Sequence, residues 1–142
     1  MSFLGKSGFA VAALGLAAGS VFGAGAANAA DLHAAISFSD VDWSYSYSVN
    51  EPSAAAAADA ALADCTASDC HIWAAWSNGC GVIVEGEEGS IGIGTGATSR
   101  DAEIEAYASL GELEPRALLA NTGSAALSGA HVVETVCTAN AR

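Results

Sequence analysis

The stretch Cys65-Thr66-Ala67-Ser68-Asp69-Cys70-His71-Ile72-Trp73-Ala74-Ala75-Trp76-Ser77-Asn78-Gly79-Cys80 holds three of the four cysteines and two of the three tryptophans of the chain. It reads as the end of a helix, a short cysteine-bounded turn and a buried strand. The segment that runs into Cys65, residues 54–64, is almost all alanine, the strongest helix former. Residues 71–76 are mostly apolar and lie between two turn signals, Thr66-Ala67-Ser68-Asp69 before and Ser77-Asn78-Gly79 after.

Working back from the helix, Asn50-Glu51-Pro52-Ser53 supplies a helix start. Before it, Trp43-Ser44-Tyr45-Ser46-Tyr47-Ser48 alternates aromatic and hydroxyl side chains with period two, the pattern of a half-buried strand. A shorter strand, His33-Ala34-Ala35-Ile36-Ser37-Phe38, precedes it across the turn Ser39-Asp40-Val41-Asp42. The expected arrangement has the alanine helix covering the rings of Trp43, Tyr45 and Tyr47, with bulk on the strand compensating for small methyls on the helix. Ser44, Ser46 and Ser48 then face outward.

Working forward from Cys80, the order starts again about 48 positions later. Residues 81–84 match the strand at Ala34, Ile91-Gly92-Ile93-Gly94 matches the Trp43 strand, and residues 98–110 match the alanine helix. Thr98 followed by Asp101 resembles a capping box and marks the second helix start. Large and small residues are exchanged between the repeats, which implies that each helix packs on its own strand pair. The second half then departs from the first: residues 112–129 are longer and have no equivalents of Cys65 and Cys70, before a last strand, residues 131–137, brings in Cys137.

Four cysteines allow three disulfide connectivities. If Cys65 and Cys70 were bonded into different halves, the second repeat would have kept a partner for each, so the asymmetry selects Cys65 with Cys70 and Cys80 with Cys137. A zinc site at Cys65, Cys70, His71 and Cys80 has suitable ligand types, but its spacing is not that of a zinc knuckle. No metal or cofactor is expected.

The chain opens with Met1 and Lys6, then an Ala/Gly/Leu/Val/Phe run over residues 8–27 that closes on Ala27-Asn28-Ala29. This is the form of a cleavable signal peptide, residues 1–29, with cleavage after Ala29. The run is nearly long enough for a membrane anchor, but its five glycines make it weakly hydrophobic. No cysteine stands near the cleavage site to carry a lipid. Export is the expectation, to the extracellular space or cell envelope, with no stable membrane insertion after cleavage. Residues 30–142 are read as one domain of two repeats, about 33–80 and 81–137.

From residue 30 onward 16 carboxylates face only Arg100, Arg116 and Arg142, a net charge near −13. Nucleic acid is excluded as a partner, since binding it rests on cationic neutralisation of phosphate. Anionic membrane surfaces are disfavoured on the same ground. The acidity is read as a source of solubility.

The succession of the small apolar strand, the Trp-Ser-Tyr-Ser-Tyr strand, the Ala-Ala-Ala-Ala-Ala-Asp-Ala-Ala-Leu-Ala-Asp-Cys helix, Asp-Cys-His-Ile-Trp, Asn-Gly-Cys-Gly-Val-Ile-Val and Ile-Gly-Ile-Gly-Thr-Gly resembles the exported actinobacterial proteins classed as domain of unknown function 4189. The likeness covers residues 33 to about 110 and the Cys137 strand. It implies export and fold, and brings no catalytic residue with it.

Chemistry-bearing groups are few. His71 has Asp69 and Ser77 close by in sequence, so a Ser/His/Asp hydrolase is conceivable. However, no Gly-x-Ser-x-Gly elbow surrounds any serine, and disulfides remove the thiols as nucleophiles. His33 and His131 complete the histidines. Trp43, Tyr45 and Tyr47 could form a platform for sugar rings, although covered core is the leading reading. Asp40 with Asp42, and Glu85 with Glu87 and Glu88, are oxygen-rich turns better read as solvated than as calcium sites. Gly92, Gly94 and Gly96 lack the Lys-Ser/Thr of a phosphate loop and point to close backbone approach.

The expectation is therefore a disulfide-stapled α+β domain of two β-β-α-β repeats, its helices on one side of a mostly antiparallel sheet. It acts as a non-enzymatic secreted or envelope-associated binding protein with an unidentified extracellular or envelope partner. A small secreted cell-wall or ester hydrolase and a glycan-binding module are the alternatives.

Overall fold

A computed structural model describes residues 30–142; the leader expected over residues 1–29 lies outside the described residues. Two repeats each run strand, strand, helix, strand. The first holds β1 (His33–Ser39), β2 (Ser44–Glu51), α1 (Ala54–Asp64) and β3 (His71–Ser77). The second holds β4 (Cys80–Glu85), β5 (Ile91–Gly96), α2 (Ser99–Gly111) and β6 (His131–Cys137). A 3-10 helix (Pro115–Thr122) and a short α3 (Ala125–Ser128) are inserted before β6.

Local chemistry sets the helix boundaries. Ser53 caps α1, its Oγ accepting from Ala56 N at 3.1 Å. Thr98 caps α2 in the same way, accepting from Asp101 N at 3.1 Å and donating its own hydroxyl to Asp101 Oδ2 at 2.8 Å. The expected capping box is thus present with aspartate as its acidic member.

The strands divide into two three-stranded antiparallel sheets, ordered β2-β1-β3 and β5-β4-β6. The first strand of each repeat is central and has two buried faces. In β1, Ala35 packs with Ala57 and Ala61 of α1, while Ala34, Ile36 and Phe38 point the other way and are equally buried. In β4, Cys80, Val82 and Val84 pack with Ala102, Ala106, Tyr107 and Leu110 of α2, and Ile83 points away from the helix. The faces turned from the helices meet each other: Gly81 lies under the Trp76 ring, and Ile83 shares a cleft with Phe38 and Trp73. The result is four layers, α1, first sheet, second sheet and α2. β2 lies against β6 and β3 against β5, so exchanging the repeats maps one contact onto the other.

The aromatic strand sits the opposite way round from the expectation. α1 covers the serines: Ser46 Oγ and Ser37 Oγ donate to the Ala61 carbonyl at 2.6 and 2.9 Å, and Ser48 Oγ donates to the Ala57 carbonyl at 2.6 Å. A serine hydroxyl can be buried without loss when a helix carbonyl offers its second lone pair, and small residues on both surfaces bring it within reach. The rings are consequently not core under the helix. Trp43 belongs to the β1–β2 turn and is 64% exposed, and Tyr47 is 40% exposed.

The second helix comes close by other means. A methyl at Gly94 would overlap Ala106 N and the Ala102 carbonyl of α2, so β5 carries glycine where the helix backbone crosses it.

Both disulfides have the expected partners. Cys65–Cys70 closes the turn from α1 to β3, and Cys80–Cys137 joins residues directly opposite on β4 and β6. Each lies within one repeat, so the two halves are held together by non-covalent contacts. At the end of the sandwich away from the hairpin turns, Asn78 Oδ1 accepts from Leu32 N at 3.0 Å and from Asn140 Nδ2 at 2.6 Å. Asn50 Oδ1 accepts from Ala139 N at 2.7 Å. Both asparagines have positive φ, 52° and 65°, a conformation this side chain tolerates.

Candidate functional site

His71, Asp69 and Ser77 are not brought together. His71 is the first residue of β3 and Ser77 the last, which at a strand rise of roughly 3.3 Å places them about 20 Å apart. Asp69 is bound to the β1–β2 turn, accepting from Ser39 Oγ at 2.6 Å and Val41 N at 3.0 Å, while Ser39 Oγ accepts from Asp42 N at 3.0 Å. The Ser39 hydroxyl, with help from the Val41 amide, holds the Asp69 carboxyl below the usual carboxylate range. Asp69 is a staple of the hairpin. His71 Nδ1 stands 3.8 Å from Asp40 Oδ2 at the exposed surface. His131 is the matching first residue of β6, with Nε2 3.9 Å from Glu85 Oε2. His33 begins β1, opposite Ser77 of β3.

The other sequence candidates are dispersed or already engaged. Glu87 Oε2 accepts from Arg116 Nη1 at 3.2 Å on the surface. Among the described residues no three His, Cys, Asp or Glu side chains gather in a metal-holding group. All four sulfurs are in disulfides, which leaves the zinc alternative without thiolate ligands.

What the fold does assemble is a cleft of about 180 Å³ between the two sheets, at the end carrying the hairpin turns. The first sheet contributes Phe38, Trp43, Tyr45 and Trp73. The second contributes Ile83, Glu85, Ile91 and Val133, with Gly89 at the rim. Phe38 is the hinge of the aromatic side: Trp43 meets it edge-on at 88° with centroids 6.0 Å apart, and Trp73 lies 4.6 Å away at 43°. Trp73 reaches this position because β3 is bulged against β1 between Ile36 and Ser37. The Tyr45 hydroxyl donates to Glu134 Oε2 at 3.4 Å, and burial followed by the Glu134 carboxylate raises its phenol above the ordinary value.

Trp43 stands out in this set. Its φ is 50°, in the left-handed region where a bulky non-glycine residue is rare, and yet most of its indole is in solvent. Of the sequence platform, Trp43 and Tyr45 reach the cleft and Tyr47 does not line it. Phe38, Trp73 and Glu85 went unrecognised as site residues. One signal bears on this: Ile36 and Ile83, and likewise Phe38 and Glu85, occupy corresponding places in β1 and β4, so the residues facing the inter-sheet space can be aligned through the repeat.

A family model described as "Domain of unknown function (DUF4189)" matches residues 33–137. No curated protein and no solved structure matches the chain.

Proposed function

The chain belongs to the domain of unknown function 4189 family, and from that premise we propose that it is an exported, non-enzymatic binding protein whose binding site is the aromatic cleft between its sheets. The observation that carries the reading is Trp43, an exposed indole on a strained turn at the mouth of an aromatic-lined space. Backbone strain of this kind costs on the order of 1–3 kcal/mol and persists where the surroundings hold it, commonly at ligand clamps. Apolar walls with a few polar groups are the usual composition of a binding cleft.

Export is supported by the leader pattern of residues 1–29 and by two disulfides, which persist in oxidising compartments. No described helix is long and apolar enough to cross a membrane. Intact mass of the secreted protein tests this part: a chain beginning at Ala30 is expected, and a retained leader would refute it.

The cleft reading is tested with envelope extract fractionated over immobilised protein, comparing wild type with Trp43→Gly. Retention of a fraction by wild type and its loss in the variant is the expected result. Equal retention by both would remove the cleft from the account. Turnover of a cell-wall or ester substrate that His71→Ala abolished in a folded protein would replace binding by hydrolysis.

A further inference from the structure

A platform for sugar rings needs aromatic faces open in one plane. In the cleft the rings are turned on one another, Trp43 at 88° and Trp73 at 43° to Phe38, so they bound a small volume from several sides. Aromatic faces arranged in this way hold a compact cation through the negative face of each ring. The remaining walls agree in charge. Glu85 lines the cleft, the Tyr45 hydroxyl is bonded to Glu134, and none of the lining side chains is lysine or arginine. Among the described residues the nitrogen within ion-pair reach of Glu85 is His131 Nε2, at 3.9 Å. A net charge near −13 from residue 30 onward draws cations toward the molecule.

The kind of cation follows from hydrogen-bond accounting. A primary ammonium carries three N–H donors and a guanidinium five. Apart from Glu85 and the Tyr45 hydroxyl, the lining is aromatic or aliphatic, and a buried donor without an acceptor is costly. A quaternary ammonium has no N–H to leave unpaired and presents methyl groups to Ile83, Ile91 and Val133. The cleft, about 180 Å³, is smaller than the roughly 300 Å³ at which pockets for drug-sized ligands begin, a size for a headgroup and not for an oligosaccharide.

We propose that the cleft binds a quaternary ammonium headgroup, with the charge seated among Phe38, Trp43, Tyr45 and Trp73 and balanced by Glu85. The proposal rests on the cleft being the binding site. Tryptophan fluorescence during titration tests it with four probes: choline, ethanolamine as the ammonium with donors, 3,3-dimethylbutan-1-ol as the uncharged isostere of choline, and N-acetylglucosamine as a neutral sugar. Choline is expected to give a saturable change, with ethanolamine and the isostere each about tenfold weaker. Glu85→Gln should weaken choline by a similar factor, and Trp43→Gly should abolish its binding while circular dichroism shows a folded protein. Equal response to the isostere would make the site merely apolar, and equal response to ethanolamine would overturn the quaternary assignment. A response to the sugar alone would give the cleft to glycans. If no probe binds but Trp43-dependent retention of an envelope fraction persists, the headgroup proposal fails and the cleft reading stands; if that retention is also missing, both fail.

Discussion

Trp43 and Asp69 show how one turn combines strain and support. The left-handed backbone of Trp43, at φ 50°, is a conformation that glycine adopts freely. Trp43→Gly relieves that strain and loses the edge contact with Phe38. The two effects are each about 1 kcal/mol and opposed, so the urea-unfolding stability of the variant is expected within about 1 kcal/mol of wild type even though ligand retention is lost. A drop of several kcal/mol would make Trp43 a structural anchor. Asp69 has the opposite character: its bonds from Ser39 and Val41 favour the ionised form and depress its folded-state pKa. The stability it contributes is therefore fully present above its unfolded pKa, about 3.9, and is lost as pH falls through the lower folded value. Asp69→Asn should lower the urea midpoint at neutral pH, with the gap to wild type narrowing once pH falls below about 4. A gap independent of pH would contradict the assignment.

The two helix–strand contacts reach close approach with opposite residues. α1 brings alanines to the serines of β2, and α2 brings Ala102, Ala106 and Leu110 to the glycines of β5. Ser48 is buried between β2 and α1, bonded to the Ala57 carbonyl at 2.6 Å. Ser48→Ala loses that bond, at about 1 kcal/mol. Ser48→Val raises strand propensity but forces bulk under the helix and should cost more, about 2–3 kcal/mol by urea unfolding. A valine variant as stable as the alanine one would show that α1 lies loosely. On the other side, Gly94→Ala places a methyl into the α2 backbone and is expected to cost about 2–3 kcal/mol.

For the whole molecule, each disulfide closes a loop within one repeat, so their contributions follow loop length. Cys80–Cys137 spans 57 positions and Cys65–Cys70 five. Replacing the first pair by alanine should lower stability by about 4 kcal/mol, and the second by about 2 kcal/mol. The reverse ranking in denaturant unfolding would tie the short turn to the rest of the fold more tightly than its contacts indicate. Much of this plan was legible in the chain. The period-two run at residues 44–48, the alanine run with its serine cap and the Thr98–Asp101 box are local signals, and the repeat itself implied which cysteines pair. Alternation places serines and rings on opposite sides of β2, but it carries no label for which side meets a helix. Helix carbonyls that accept Ser46 and Ser48 decide that, and they belong to a different element. Likewise Phe38, Trp73 and Glu85 are far apart along the chain and become one site only when the faces left bare by the helices close on each other. The sequence by itself determined the elements, their order and the covalent staples, because propensity, capping and repetition act over neighbouring residues. Only the tertiary structure decided which face is buried and where the cleft lies, because both depend on how two separately formed sheets share one apolar interior.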